Sequence, residues 1–274
     1  MGAIVPVRAV DGRRLWQKKT LSRQLLHAFG WALGVLVVAF CWQLISERTL
    51  WIFVEDAPRQ AVDLMSRMVP PKWGYINQLW GPIWDTLAIA TFGTLLGIVL
   101  AVPVAFMAAR NTTLHPLLRG PAMLIIVTSR SIHSLIWALF IVFLVGPGVF
   151  AGVVAIGLRS IGFIAKLLYE AIEEIDIVPG EAIAATGASG SQTLAYAVVP
   201  QVMPTFAGIS VFRWDINIRE STVVGLVGAG GIGLALDASV NTLSWSQASV
   251  IFIVIFLLVL ISEWVSAKVR QAII

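Results

Sequence analysis

The chain is predicted to be all-α, a polytopic membrane protein with six transmembrane helices. Three observations predict this. Apolar residues make up 58% of the 274 residues and charged residues only 12%, whereas an ordinary soluble domain is about 25% charged. The charges gather in short blocks between long uncharged stretches, the layout of a chain that crosses a bilayer several times. The basic residues sit mainly in the tails and the loop flanking the apolar runs, so the net charge of +4 is a topology signal and not a nucleic-acid surface.

Residues 1–24 form a basic tail, with Arg8, Arg13, Arg14, Lys18, Lys19 and Arg23 against the single acid Asp11. The positive-inside rule assigns this tail to the cytoplasm. The rest, residues 25–274, reads as one transmembrane domain. Its first span, about 25–45, is too long for a signal-peptide core and no A-x-A-like cleavage site follows, so it is expected to be retained. From Glu47 to Gly81 the charges balance, and APRQAVDLMSRM within that segment is amphipathic, suited to the outer membrane surface. Trp42, Trp51, Trp73, Trp80 and Trp84 bracket it as an interfacial aromatic belt.

The second span, about 85–109, ends at Arg110 and Arg119 on the inner side. Pro121 to Leu168 is too long for one helix and divides at Gly146–Gly148 into spans of about 121–145 and 149–168. A polar inner segment, about 169–194, leads to a fifth span at 195–225, a glycine-rich outer turn, and a sixth span at 246–266. Lys268 and Arg270 follow, so both termini are expected in the cytoplasm. No internal repeat is visible, which argues against a repeat-built secondary transporter.

Enzyme chemistry finds little support. Cys41 is the one cysteine, His27, His115 and His133 have no ligand spacing, and no nucleophile with its base is recognisable. No catalytic residue, metal site or cofactor of its own is expected. In VVGLVGAGGIG, Val223 to Gly233, three glycines match the dinucleotide signature G-x-G-x-x-G. The segment follows a charged membrane helix, however, and the next acid, Asp237, is too near to hold a ribose. Gly225, Gly228, Gly230, Gly231 and Gly233 are read instead as a close-packed outer turn or gate.

Ionisable side chains at membrane depth are costly and usually face an interior or a water-filled path. Arg130 and His133 stand at i,i+3 in the third span, where one helical face would hold both. Arg213 and Glu220 share a face of the fifth span, and Asp215 with Arg219 at i,i+4 suits a structural ion pair. Arg159 in the fourth span either lines the path or snorkels. Arg130, His133, Arg213, Arg219 and Glu220 are therefore the candidate pathway residues, and cations among them would lower the barrier to an anion. The acidic cluster Glu170, Glu173, Glu174 and Asp176 reads as a solvated face, or else as part of a contact with a partner protein. G-x-x-x-G at Gly93/Gly97 and again at Gly148/Gly152 predicts close helix packing.

The inner stretch EAIAATGASGSQTLAYAVVPQVMP, Glu181 to Pro204, resembles the EAA loop of ABC importer permeases. Glu181 and Ala182 are followed by Gly187 and then Pro200 at the family's spacing, with Ile183 and Val199 where Ala and Leu are usual. LLYEAIEEID ahead of it and the run from Pro200 to Gly233 are similar to the phosphonate and phosphite permease branch. The resemblance covers most of the chain after Pro121 and is weak before Asp85.

The resemblance implies a type I ABC importer permease core in the bacterial inner membrane. Glu181, Ala182, Ala185, Gly187 and Pro200 would couple it to a cytoplasmic ABC ATPase dimer, which binds ATP and Mg. The chain itself has no G-x-x-x-x-G-K-[ST] phosphate cradle. A periplasmic or other extracytoplasmic substrate-binding protein would deliver phosphite, phosphonate or a related phosphorus oxyanion. Another small anion or an amino acid is the alternative cargo. Six spans suggest two copies around one pathway, a homodimer.

Overall fold

The computed structural model describes residues 21–113 and 115–273, and no strand occurs among them. The tail charges from Arg8 to Lys19 lie outside the described residues. Two compact units divide the chain, one up to Asp63 and one from Leu64 onward.

The first unit contains α1 (Leu21–Arg48) and most of α2 (Trp51–Met68). α1 alone is long and apolar enough to cross a membrane. Its turn into α2 is held by Trp51, whose indole N–H donates to the Ser46 carbonyl at 3.2 Å and whose ring lies 6.0 Å from that of Trp42.

The second unit is organised around the contact of α3 (Ile76–Ala108) with α6 (Val149–Glu173). Here the glycines of the second span find their partner. A Cβ on Gly97 would stand 2.5 Å from Ser160 Cβ, and one on Gly93 would stand 2.8 Å from Ile156 Cγ2. Such small-residue contacts matter in lipid, where apolar side chains gain nothing by leaving water and backbones must pack closely instead. Gly148 does not extend this pattern. It precedes α6 with φ 146°, and a Cβ there would meet nothing within 4 Å, so of the predicted Gly148/Gly152 pair only Gly152 packs, against Ile89 and the Ala229 carbonyl.

Three apolar clusters follow α3 along its length: Leu79 with Ile232 and Ile251, then Ile89 with Ile156 and Val224, then Ala105 with Ile164 and Val202. Phe92, Phe143 and Phe256 point outward and are exposed, as lipid-facing side chains are.

The helix boundaries differ from the sequence expectations in several places. α3 starts at Ile76, behind a 3₁₀ turn at Trp73–Tyr75, and not at residue 85, so Trp80 and Trp84 belong to the same helix as the span. The third span is broken: α4 (Pro116–Ser131) and α5 (Ser134–Val145) meet at 95°. Ile132 is extended and His133 caps α5, its ring nitrogen accepting the Leu135 N–H at 3.3 Å. Arg130 and His133 therefore do not share a helical face.

α6 runs on to Glu173 instead of stopping at residue 168, and the inner segment contains α7 (Val178–Ala185) and α8 (Gly190–Thr193). α8 continues through a π turn, Leu194–Val198, into α9 (Val199–Val224). The π turn has a local cause: Pro200 has no N–H to close its turn, and Val199 N–H bonds back to Leu194. The glycine-rich turn is likewise structured, with a π turn at Gly225–Ala229 followed by α10 (Gly231–Asn241) and then α11 (Trp245–Ile273). Five helices among the described residues are long and apolar enough to span a membrane, and the bent α4–α5 pair makes a sixth if it is one span.

Candidate functional site

α4, α6 and α9 bring Arg130, Arg159, Phe163 and Arg213 around a cavity of ≈ 170 Å³. Arg213 is the most enclosed, 2% exposed. Its Nε donates to Ser160 Oγ at 3.0 Å, its Nη2 to Glu220 Oε2 at 3.3 Å, and its guanidinium lies 5.1 Å from the centre of the Phe163 ring. Glu220 also accepts from Arg159 Nε at 3.2 Å, through its other oxygen. One carboxylate on α9 thus holds two guanidiniums, one from its own helix and one from α6.

The polar groups behind this triad are satisfied in turn. Asn217 Nδ2 donates to Thr94 Oγ1 at 2.8 Å and to Ser160 Oγ at 3.0 Å, which joins α3, α6 and α9 through buried hydrogen bonds. Arg159 Nη1 donates to the Ile132 carbonyl at 3.2 Å and so meets an acceptor exposed by the α4–α5 break. Ser129 Oγ is inserted into the ladder of α6, donating to the Leu158 carbonyl and accepting the Gly162 N–H at 2.8 Å.

Buried charges are tolerated when paired. Three guanidiniums line this cavity, Glu220 pairs with two of them, and Arg130, which is exposed, has no hydrogen-bond or ion-pair partner among the described residues. The site carries excess positive charge.

Of the pathway candidates, the structure brings Arg130, Arg213 and Glu220 together and adds Arg159. It does not bring in His133, which caps α5, or Arg219. Arg219 pairs with Asp215, which also accepts from Ser262 Oγ at 2.8 Å, so this pair ties α9 to α11. Phe163, Ser160 and Asn217 were missed, although Arg213, Asn217 and Glu220 at i, i+4 and i+7 form one polar face on an apolar helix.

At the other functional segment, Glu181, Ala182 and Ala185 lie exposed on α7, which has no buried residue. Glu181 is in the first turn, where a helix dipole favours an anion. Gly187 ends α7 at φ 83°, a left-handed conformation suited to glycine, with its N–H on the Ala184 carbonyl at 3.0 Å. Ser189 and Gln192 then form a capping box for α8, and Pro200 follows at the start of α9. Gln201 binds the backbone of Asp176 in both directions, accepting its N–H at 3.1 Å and donating to its carbonyl at 3.2 Å. The acidic cluster is largely engaged within the chain: Glu170 pairs with Lys166, Glu173 with Arg110 at 3.9 Å, and Asp176 caps the Val178 N–H at 3.0 Å.

The glycine-rich turn is enclosed by the chain itself. The Gly228 carbonyl accepts from Gly148 N–H at 3.0 Å, and Ile232 N–H donates to Thr86 Oγ1 at 2.8 Å. Gly230 and Gly231 adopt φ of 84° and 75°. A Cβ on Gly225 would stand 2.5 Å from the Gly230 carbonyl, and one on Gly233 2.9 Å from Gly225 Cα. The close approach expected of these glycines is made by helices of this chain.

A helical membrane bundle with a charged cavity between its spans and a compact helical segment at one end of a spanning helix defines a solute permease. The chain belongs to the family of binding-protein-dependent transport system inner membrane components, whose description matches residues 93–271. It is similar to the phosphite transport system permease protein PtxC of Stutzerimonas stutzeri, 39% identical over 240 residues that cover 87% of this chain and 86% of that one. It is also 39% identical over 248 residues to the phosphate-import permease protein PhnE of Mycolicibacterium smegmatis, covering 89% of this chain and 46% of that longer protein. Among solved structures, an inward-facing conformation of the MetNI methionine ABC transporter shares the fold. The TM-score is 0.61 at 22% identity, over 71% of this chain and 94% of that one. The chain is the permease component of an ABC importer.

Proposed function

We propose that this permease carries phosphite, phosphonate or a related phosphorus oxyanion across the bacterial inner membrane by alternating access. The observation that carries this reading is the excess of guanidinium over carboxylate around the cavity between α4, α6 and α9. Planar guanidiniums match phosphorus oxyanions well, and the cargo classes named for the two similar permeases support the same chemistry.

The coupling follows from one long element. α8, the π turn and α9 follow one another without a loop, and α9 alone has 26 residues, roughly 39 Å at helical rise, more than the hydrocarbon thickness. It joins α8 to Arg213, Glu220 and the glycine-rich turn. In this reading α7 rests in a groove of a cytoplasmic ABC ATPase dimer, which binds ATP and Mg. Glu181, Ala182 and Ala185 meet the ATPase, and Gly187 and Pro200 shape the turn that passes its movement to α9. The Gly225–Gly233 turn forms the outer end of the pathway. A periplasmic or other extracytoplasmic binding protein loads the cargo, and a second copy of the chain completes the pathway as a homodimer. Both termini lie in the cytoplasm.

The test is uptake in cells deleted for their own phosphorus-oxyanion importers. Expressed with an ABC ATPase and a binding protein of a phosphite or phosphonate importer, the chain should confer energy-dependent accumulation of phosphite or methylphosphonate. Uptake of an amino acid with no phosphorus compound entering would overturn the cargo assignment.

A further inference from the structure

The two paired guanidiniums at this cavity already hold an anion, and that anion is the protein's own Glu220. We propose that Arg130, Arg159 and Arg213 form an oxyanion-binding site inside the permease and that Glu220 is its resident competing anion, displaced when cargo enters. The inference rests on the phosphorus-oxyanion reading and goes beyond it, because it assigns a binding site to the membrane subunit itself.

The geometry supports exchange. Glu220 reaches Arg159 at 3.2 Å and Arg213 at 3.3 Å, longer than the ~2.7–2.9 Å of a tight charge-assisted bond. A carboxylate offers two oxygens and uses both. A phosphorus oxyanion of tetrahedral shape can offer a third, and the third cation, Arg130, lines the same cavity without a partner among the described residues. Phe163 supplies a ring face against Arg213 and completes the lining.

The arrangement also meets the demands of transport. A pathway site must accept its cargo and release it, so tight binding would arrest the cycle. A bare guanidinium at the buried Arg213, beside the half-buried Arg159, would be costly after release. A carboxylate on the same helix as Arg213, seven residues along, returns to them and lowers the positive charge of the empty site. Asp215, also on α9, is occupied by Arg219 and Ser262, so Glu220 is the acid available for this exchange among the described residues.

The experiment measures equilibrium binding of ³²P-labelled inorganic phosphate to the permease–ATPase complex in nanodiscs, with the binding protein omitted. Glu220→Gln removes the competing charge and should tighten phosphate binding at least about tenfold. Arg130→Gln added to that variant should reverse most of the gain. If the assembled Glu220→Gln complex binds phosphate no more tightly than wild type, the exchange is refuted, while the cargo assignment stands or falls separately by the uptake assay. If Glu220→Gln fails to assemble, Arg130→Gln alone decides. It leaves the Arg159–Glu220–Arg213 triad intact, and an assembled complex that imports phosphite at the wild-type rate overturns the site.

Discussion

Gln201 on α9 binds the backbone of Asp176 at both its N–H and its carbonyl, at 3.1 and 3.2 Å. These two bonds tie the link between α6 and α7 directly to the helix that carries Arg213 and Glu220. The segment carrying α7 is therefore tied to α9 in two ways, through Gln201 and through the chain from Gly187 to Pro200. Gln201→Ala should lower the solute imported per ATP hydrolysed by about tenfold, the cost of losing two hydrogen bonds of ~0.5–1.5 kcal/mol each. Simultaneous measurement of uptake and ATP hydrolysis checks this, and unchanged coupling would show that Gln201 has no part in it.

Gly97 has no room for a methyl group, since a Cβ would stand 2.5 Å from Ser160 Cβ. Gly97→Ala should destabilise the α3–α6 contact by about 1–3 kcal/mol, the usual cost of overpacking. Gly208→Ala is the matched control, because nothing lies within 4 Å of a Cβ there. Thermal unfolding of the detergent-solubilised chain should separate the two variants clearly.

Gly231 combines a φ of 75° with a Cβ position 2.7 Å from Thr86 Oγ1. A valine there meets strain and a clash together, roughly 1–3 kcal/mol for the backbone alone. Gly231→Val should reduce both the yield of folded protein and transport. Full uptake by this variant would remove any role of the glycine-rich turn as an outer gate.

Asp215 and Arg219 should behave as a structural pair. Asp215→Asn leaves the Ser262 hydroxyl an acceptor but breaks the ion pair to Arg219, so it should lower thermal stability by about 1–3 kcal/mol. Cargo selectivity, measured by competition among phosphite, phosphate and sulfate, should not change.

Much of this architecture was legible because its signals are physical necessities. GPG at residues 146–148 ends α5 and precedes α6, with Gly146 and Gly148 at positive φ, and the apolar runs have to be helical to satisfy their backbones in lipid. The α4–α5 break was hidden. Its sequence sign is the polar run TSRSIHS, Thr128–Ser134, set inside an apolar stretch, with His133 acting as a cap, and charge spacing along one continuous helix does not reveal it. Trp80 and Trp84 misled in another way, since interfacial tryptophans mark the end of the apolar layer and not the end of a helix, and α3 continues through them to Ile76. At the site, the i,i+7 spacing identified Arg213 with Glu220. The partnership of Arg159 with that same carboxylate depends on how α6 crosses α9, which spacing along one helix does not encode.

The central claim is that this permease moves a phosphorus oxyanion past a cluster of guanidiniums. The most direct measurement is ATP-driven phosphite accumulation in proteoliposomes containing the chain, its ATPase and its binding protein, for wild type and for Arg130→Gln. Wild type should accumulate phosphite, and the variant, assembled normally, should do so at least about tenfold more slowly. Equal rates for the two, or no phosphite accumulation by a wild-type complex that hydrolyses ATP, would contradict the account.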